Sequence, residues 1–423
     1  MARKRFFSKI RNIFKKIGPG VITGAADDDP SGITTYAIAG ARAGFGMLWL
    51  SALSFPLMAA VQEMCARIGM VTSSGLAGVM RKHYARPVLF TLAILAIGAN
   101  TLNIGADLAG MAAATTLLAP LPKGFWSVLY AVIIIFLMIF FPYRAIAKYL
   151  KWLTFFLFAY VFAAILAKPD WIEVVKSAFT PTLRLDRDFI TLVVAILGTT
   201  ISPYLFFWQA AEEVEERREQ SAFRFEKRIV TKHELRVMRE DVTLGMFISN
   251  VVMFFIMVNT ATVFNARGVF DLSTPEQIAS SLEPFVGSAA KLFFALGIIG
   301  TGLLAIPVLA GASAYVFAEA LGFREGLSRS FQEAKAFYGV IIFSTLVGLI
   351  INFLGFDVVD MLFGTAIIYG LVSPPLLAII LHIANNRKVM GKKTNGYLSN
   401  FFGVIALLVM TAASASFFYL MAK

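Results

Sequence analysis

Three consecutive acids, Asp27, Asp28 and Asp29, stand inside an apolar stretch and run straight into Pro30, Ser31 and Gly32. The flanking pieces, Ile17 to Ala26 and Ile33 to Ala43, are each too short to cross a bilayer. Together they have the length of one tilted span, which needs about 20 residues. Pro30 has no amide hydrogen and Gly32 tolerates unusual dihedrals, so a helix unwinds here. Unwound backbone at membrane depth is tolerated where it lines a cavity or is buried in protein. Its freed carbonyls then become cation ligands, and an acid at that depth marks an ion site. The alternative places the three acids in a loop outside the membrane. The charge pattern speaks against it, because this segment has to cross once.

A second interruption repeats the pattern. Gly198-Thr199-Thr200-Ile201-Ser202-Pro203-Tyr204 lies within an uncharged stretch. It falls five spans after the first. Two broken helices in corresponding positions point to an inverted repeat with its site at the midplane. A third apolar run carries Asn100, Asn103 and Asp107, whose spacings of three and four put them on one helical face. Such a stripe suits an aqueous ion pathway, and the two asparagines suit interhelical hydrogen bonding equally well.

The elements that must hold these residues are membrane helices. The chain has 423 residues, of which 58% are hydrophobic and only 15% charged, with mean hydropathy +0.75. Soluble domains are about 45–50% apolar and about 25% charged. The apolar runs are unbroken, so they do not read as the alternating strands of an outer-membrane barrel. One cysteine, Cys65, excludes an intramolecular disulfide and a cysteine-based metal cluster. His83, His233 and His382 lie far apart in the chain, which argues against a histidine-rich metal site. Eleven candidate spans follow: 17–43 (interrupted), 47–70, 88–120, 125–143, 152–167, 189–211, 242–266, 292–318, 336–356, 361–384 and 397–422. Pro307 and Pro374-Pro375 should kink spans eight and ten. No removable signal peptide is expected, since the first apolar stretch lacks a cleavage site and leads at once to acids.

Lys and Arg set the orientation. With the N-terminus in the cytoplasm, the inner segments hold 28 of the 38 basic residues, and an odd number of spans leaves the C-terminus outside. The net charge of +12 is thereby explained by topology, without nucleic acid. The expected organisation is a basic amphipathic arm (1–16), a first five-helix repeat (17–167), an external loop (168–188), a second repeat (189–386) containing a cytoplasmic charged segment (212–241), and a loop with an eleventh helix (387–423). The charged segment reads as a solvated helix laced with ion pairs. The arm reads as a helix lying on the anionic inner leaflet, or as a disordered tail.

Gly18-Pro19-Gly20 followed by Asp29-Pro30-Ser31-Gly32 resembles the first span of the NRAMP divalent-metal transporters, where Gly-Pro-Gly leads to Asp-Pro-Gly-Asn. Gln62, Cys65, Arg67-Ile68-Gly69 and Val71-Thr72 are similar to that family's second span and turn. Ile104 to Ala109 and Asn386 to Gly391 are similar to its third span and to its segment after the tenth. The resemblance implies an all-α polytopic membrane protein of the LeuT-like 5+5 inverted-repeat fold, with broken first and sixth helices. Carried over, the family's metal ligands fall on Asp29, Gly32 and Ser202, with the backbone carbonyls of Ala26 and Thr199. Asp27, Asp28, Asn103, Asp107, Tyr204 and Gln209 would line the ion pathway.

The departures carry chemistry of their own. The family's asparagine has become Gly32 and its methionine Ser202. Two histidines have become Tyr204 and Gln209, and an acid three residues after Asp107 has become Gly110. Methionine sulfur favours transition metals over Mg²⁺ and Ca²⁺. Without it the site offers only oxygen, and small residues at 32 and 202 would widen it for a partly hydrated Mg²⁺, an ion that dehydrates reluctantly. The pattern resembles the NRAMP-related magnesium transporters. The missing histidines and acid remove groups on which the family's proton route depends.

The expected function is therefore carriage of Mg²⁺, and of Mn²⁺, across the cytoplasmic membrane without proton coupling. The metal is cargo rather than a cofactor, and no cofactor or obligate protein partner is expected. The alternatives are a proton-coupled Mn²⁺ or Fe²⁺ symporter and an amino-acid carrier of the same fold. An enzyme is not expected, because no HExxH, GxSxG or protease-type acid pair lies in the spans.

Overall fold

The computed structural model describes residues 18–142, 153–221 and 230–423. The expected basic arm at 1–16 lies outside them. All regular structure among the described residues is helical. That follows from the hydropathy, because a chain in lipid must satisfy its backbone within its own segments. The main helices are α1 (Pro19–Asp27), α2 (Pro30–Ala43), α3 (Leu48–Thr72), α4 (Leu76–His83), α5 (Arg86–Thr116), α6 (Lys123–Phe140), α7 (Phe158–Leu166), α8 (Trp171–Phe179), α9 (Arg187–Thr200), α10 (Pro203–Ser221), α11 (Lys232–Val263), α12 (Ala290–Leu321), α13 (Lys335–Ile351), α14 (Val358–Asn385) and α15 (Tyr397–Met421).

Among the described residues, eight helical runs are long and apolar enough to cross a membrane, or nine if one bent pair counts as a span. The eleven apolar stretches all have helical counterparts, but not all as straight spans. The first is split between α1 and α2, and α13 is a shorter apolar helix. The fifth differs most. Its α7 turns by 118° into α8, so the expected external loop begins with a helix packed on α3. Pro169 ends α7 locally, and the Asp170 carboxylate caps α8 by accepting from the amides of Ile172 and Glu173. Pro307 and Pro374-Pro375 lie inside helices that continue through them.

Both interruptions are present. Asp29 is the N-cap of α2, with Pro30 at its first position. This is the arrangement that a capping acid followed by proline favours. α9 ends at Thr200 and α10 starts at Pro203. The carbonyls that unwinding frees find partners. Ser202 Oγ donates to the carbonyls of Gly198 (3.0 Å) and Thr199 (2.5 Å). Ser373 Oγ donates to Ile201 O (2.8 Å), and Tyr204 Oη donates to Ala26 O (3.0 Å).

Glycine brings the broken helices close to their neighbours. Gly20 and Gly24, four residues apart on α1, face the Gly245 region of α11, with backbone where a Cβ would stand. Gly198 of α9 packs in the same way against Ala366 O and Gly370 N of α14. Gly198→Ala is therefore expected to lose about 1–3 kcal/mol of stability, as overpacking typically does. Thermal unfolding of the purified protein in detergent measures it, and an unchanged midpoint would contradict the packing.

Large apolar side chains such as Phe125, Phe136, Phe140, Phe343 and Phe353 remain exposed on the outer helices, as lipid-facing positions do.

The expectation of a solvated segment at 212–241 needs correction. α10 continues to Ser221, and Glu212, Glu213 and Glu215 are buried. Glu215 accepts from Leu327 N (2.7 Å), Ser328 N (3.0 Å) and Tyr315 Oη, so it ties α10 to the turn after α12. Asp241 accepts from the amides of Gly18 (2.9 Å) and Gly20 (2.7 Å) and caps α1. Glu215 and Asp241 compensate backbone donors inside the protein. Residues 222–229 lie outside the described part.

Candidate metal site

The site is built where α1 gives way to α2. Asp29 Oδ1 accepts from Gly32 N (2.7 Å) and Ser31 Oγ (2.9 Å). Its Oδ2 accepts from Asn103 Nδ2 (2.8 Å) on α5. The same Asn103 amide reaches Asp107 Oδ2 at 3.4 Å, and Asn103 Oδ1 accepts from Thr365 Oγ1 of α14 (2.7 Å). A capping interaction thus orients the Asp29 carboxylate locally, and a chain from α14 through α5 orients it from across the bundle.

The second interruption lies beside the first. Tyr36 Oη on α2 and Thr199 Oγ1 on α9 are 3.2 Å apart. A Cβ at Gly32 would stand 2.8 Å from Thr199 Oγ1 and 3.3 Å from Asp27 O. This corrects the expectation that Gly32 widens the site. In this conformation the hydroxyl of Thr199 fills the room that the missing side chain leaves. Gly32 allows the two interruptions to approach each other.

The structure brings Asp29, Gly32, Ala26, Thr199, Ser202 and Tyr204 to the two breaks, with Asn103 and Asp107 against Asp29. Asn100 does not join them. It donates to Ser313 Oγ (3.1 Å) and accepts from Tyr369 Oη (3.1 Å), so it serves interhelical bonding. Gln209 lies further along α10 and donates to Glu213 Oε1 (3.0 Å). Asp27 and Asp28 are bonded instead by Ser249 of α11.

Sequence reasoning missed Thr365, Tyr36, Ser249 and Glu213. A polar pair, Ser249-Asn250, inside an apolar run was the available signal for the third. The fourth was hidden by its assignment to a solvated segment.

Asp27, Asp28, Asp29 and Asp107 are all buried. Among the described residues no ion pair reaches any of them. Buried carboxylates without a basic partner are costly and favour a cation. No group of three His, Cys, Asp or Glu side chains that could hold a metal is found among the described residues. A metal at Asp29 would therefore be held by a carboxylate together with neutral oxygens. Hydroxyls, carbonyls and a carboxylate are hard ligands.

A helical bundle with two interrupted helices meeting around a buried acid defines a membrane ion transporter. The profile described as natural resistance-associated macrophage protein-like matches residues 20–420. The chain belongs to this NRAMP family, and it is a multi-pass membrane transporter, not an enzyme. It is 25% identical over 392 residues to a protein named divalent metal cation transporter MntH from Deinococcus radiodurans, covering 90% of this chain and 84% of the relative. Its fold is similar to that of a manganese transporter from Eremococcus coleocola, with a TM-score of 0.78 at 18% identity, covering 95% of this chain and 86% of the other. It is also similar in fold to MHP1, a nucleobase-cation-symport-1 family transporter, with a TM-score of 0.55 at 11% identity, covering 96% of this chain and 92% of the other. These neighbours share the inverted-repeat architecture that the two interruptions led us to expect.

Proposed function

We propose that this chain carries divalent metal cations across the cell membrane, with Mg²⁺ as the preferred cargo and Mn²⁺ also accepted. The hard oxygens gathered at the two breaks, the Asp29 carboxylate with the Ser202 hydroxyl and the carbonyls of Ala26 and Thr199, carry this reading. Ser202 stands where the family's soft sulfur would be, and Mg²⁺ takes one or two carboxylates plus retained water. Asp29 supplies the charge. The carbonyls of Ala26 and Thr199 and the Ser202 hydroxyl complete the seat around a partly hydrated ion, and Gly32 lets the two breaks approach each other around it. The names of the relatives, for divalent metal and for manganese, support the cargo class. The two repeats, 17–167 and 189–386, enclose the seat. The distribution of Lys and Arg supports a cytoplasmic N-terminus and an external C-terminus.

Transport proceeds down the electrochemical gradient without stoichiometric proton uptake. Tyr204 and Gln209 stand on the way along α10. A phenol titrates near pH about 10 in water and an amide does not titrate. One observation favours a second reading, the proton-coupled Mn²⁺ or Fe²⁺ symporter: Glu213 is buried beside Gln209 and could accept a proton. A pH-sensitive dye inside proteoliposomes separates the two readings during Mg²⁺ uptake at fixed potential. No metal-dependent acidification of the lumen is expected. Acidification that disappears in Asp107→Asn or Glu213→Gln would establish the symporter instead.

A further inference from the structure

The two acids before Asp29 bond to a different helix. Across the bundle Asp29 is bonded by Asn103 of α5, whereas Asp27 and Asp28 are bonded by Ser249 of α11. Ser249 Oγ lies 2.6 Å from Asp27 Oδ2 and 3.1 Å from Asp28 Oδ1. A serine hydroxyl has one hydrogen to give. It can satisfy one of these carboxylate oxygens and must present a lone pair to the other. Asp27 Oδ1 is buried and has no hydrogen-bond partner. It shares a carboxyl carbon with Oδ2, so it too lies at this cluster. Two buried carboxylates, neither in an ion pair among the described residues, therefore meet around the Ser249 hydroxyl. Asp27 is the last residue of α1 and Asp28 its C-cap, where the free carbonyls of a helix add further negative potential. Gly245, one turn before Ser249, holds α11 against α1. That close approach lets so short a side chain reach both acids.

We propose that Asp27, Asp28 and Ser249 form a second seat for a hard divalent cation, on the α11 side of the first interruption. The charge of the two carboxylates matches one divalent ion. The unpartnered Asp27 Oδ1, the Asp28 carboxylate and the Ser249 hydroxyl are hard ligands of the kind that Mg²⁺ and Mn²⁺ accept. The inference rests on reading this break as a divalent-ion site, and it adds a separate resting place for the ion beside Asp29.

Mn²⁺ binding to the purified full chain in detergent, read by the loss of the free-ion paramagnetic resonance signal, tests it. Asp29→Ala is expected to retain one Mn²⁺ per chain, displaceable by Mg²⁺. Adding Asp27→Asn and Asp28→Asn should remove it. Adding Ser249→Ala to Asp29→Ala instead should weaken binding about threefold to tenfold, the usual range for one lost hydrogen-bonding group. Ser249→Ala keeps the charges and nearly the volume, so it decides the matter if the double amide variant does not fold. There, unchanged affinity overturns the second seat. If Asp29→Ala abolishes all binding in a folded protein, the second seat is also overturned and the assignment of Asp29 stands. If Asp29→Ala changes nothing while Asp27→Asn with Asp28→Asn abolishes binding, the second seat stands and the assignment of Asp29 falls. A wild type that binds no Mn²⁺ overturns both.

Discussion

Asp29→Asn is expected to lower Mg²⁺ and Mn²⁺ uptake in proteoliposomes by at least about 100-fold, beyond the about 10–100-fold that residues merely supporting a metal ligand cost. Asparagine is the informative substitution. Asp29 has two duties, because its carboxylate also caps α2 by accepting from Gly32 N. Asn is about as good an N-cap as Asp, so Asp29→Asn keeps the cap and removes the charge. Asp29→Ala removes both and should cost about 1 kcal/mol in helix stability as well. Radiotracer or fluorescent-indicator uptake gives the transport loss, and thermal unfolding of both variants separates the two duties. Wild-type uptake by folded Asp29→Asn would end the assignment of Asp29 as the charged ligand.

Ser202→Met should turn selectivity toward softer metals. Uptake of Cd²⁺ relative to Mg²⁺ is expected to rise about tenfold or more, a change of about 1.4 kcal/mol in relative affinity. Thioether sulfur is a soft ligand that Mg²⁺ does not favour. The substitution also removes the hydroxyl that now bonds Thr199 O and Gly198 O, so one backbone carbonyl at the break becomes freer to meet the ion. Extending the change to Gly32→Asn is not innocuous. Its Cβ would press on Thr199 Oγ1, so Thr199→Ala has to accompany it. Competition between metals during uptake measures the shift. A wild type that imports Mn²⁺ undisturbed by a large excess of Mg²⁺ would overturn the magnesium preference and leave the manganese reading.

The elements most legible in the sequence were those decided by local chemistry. A proline without an amide hydrogen and a glycine without a side chain mark where α1 gives way to α2. A proline after Ser202 marks where α10 begins. An acid before Pro30 is already an N-cap, so its place at the break needs no distant partner. Hydropathy made the chain helical and membrane-bound, because lipid offers the backbone no other partners.

The tertiary structure decided everything that depends on residues far apart in the chain. Helical spacing put Asn100, Asn103 and Asp107 on one face, but could not say which of them meets Asp29. That choice depends on how α5 lies against α2 and α14, and Asn103 meets Asp29 across 74 residues. Thr365 and Ser249 are ordinary polar residues in apolar helices until packing points Thr365 at the Asn103 amide oxygen and Ser249 at the Asp27 carboxylate. Glu213 and Glu215 look solvated when read locally, yet they are buried, Glu215 among backbone and hydroxyl donors from α12 and the turn after it and Glu213 beside the Gln209 amide. Even Gly32, which in isolation reads as added room, serves close approach, because Thr199 arrives from the second interruption to fill the space. Local sequence sets where a helix stops, and burial of charge depends on which distant groups come to meet it.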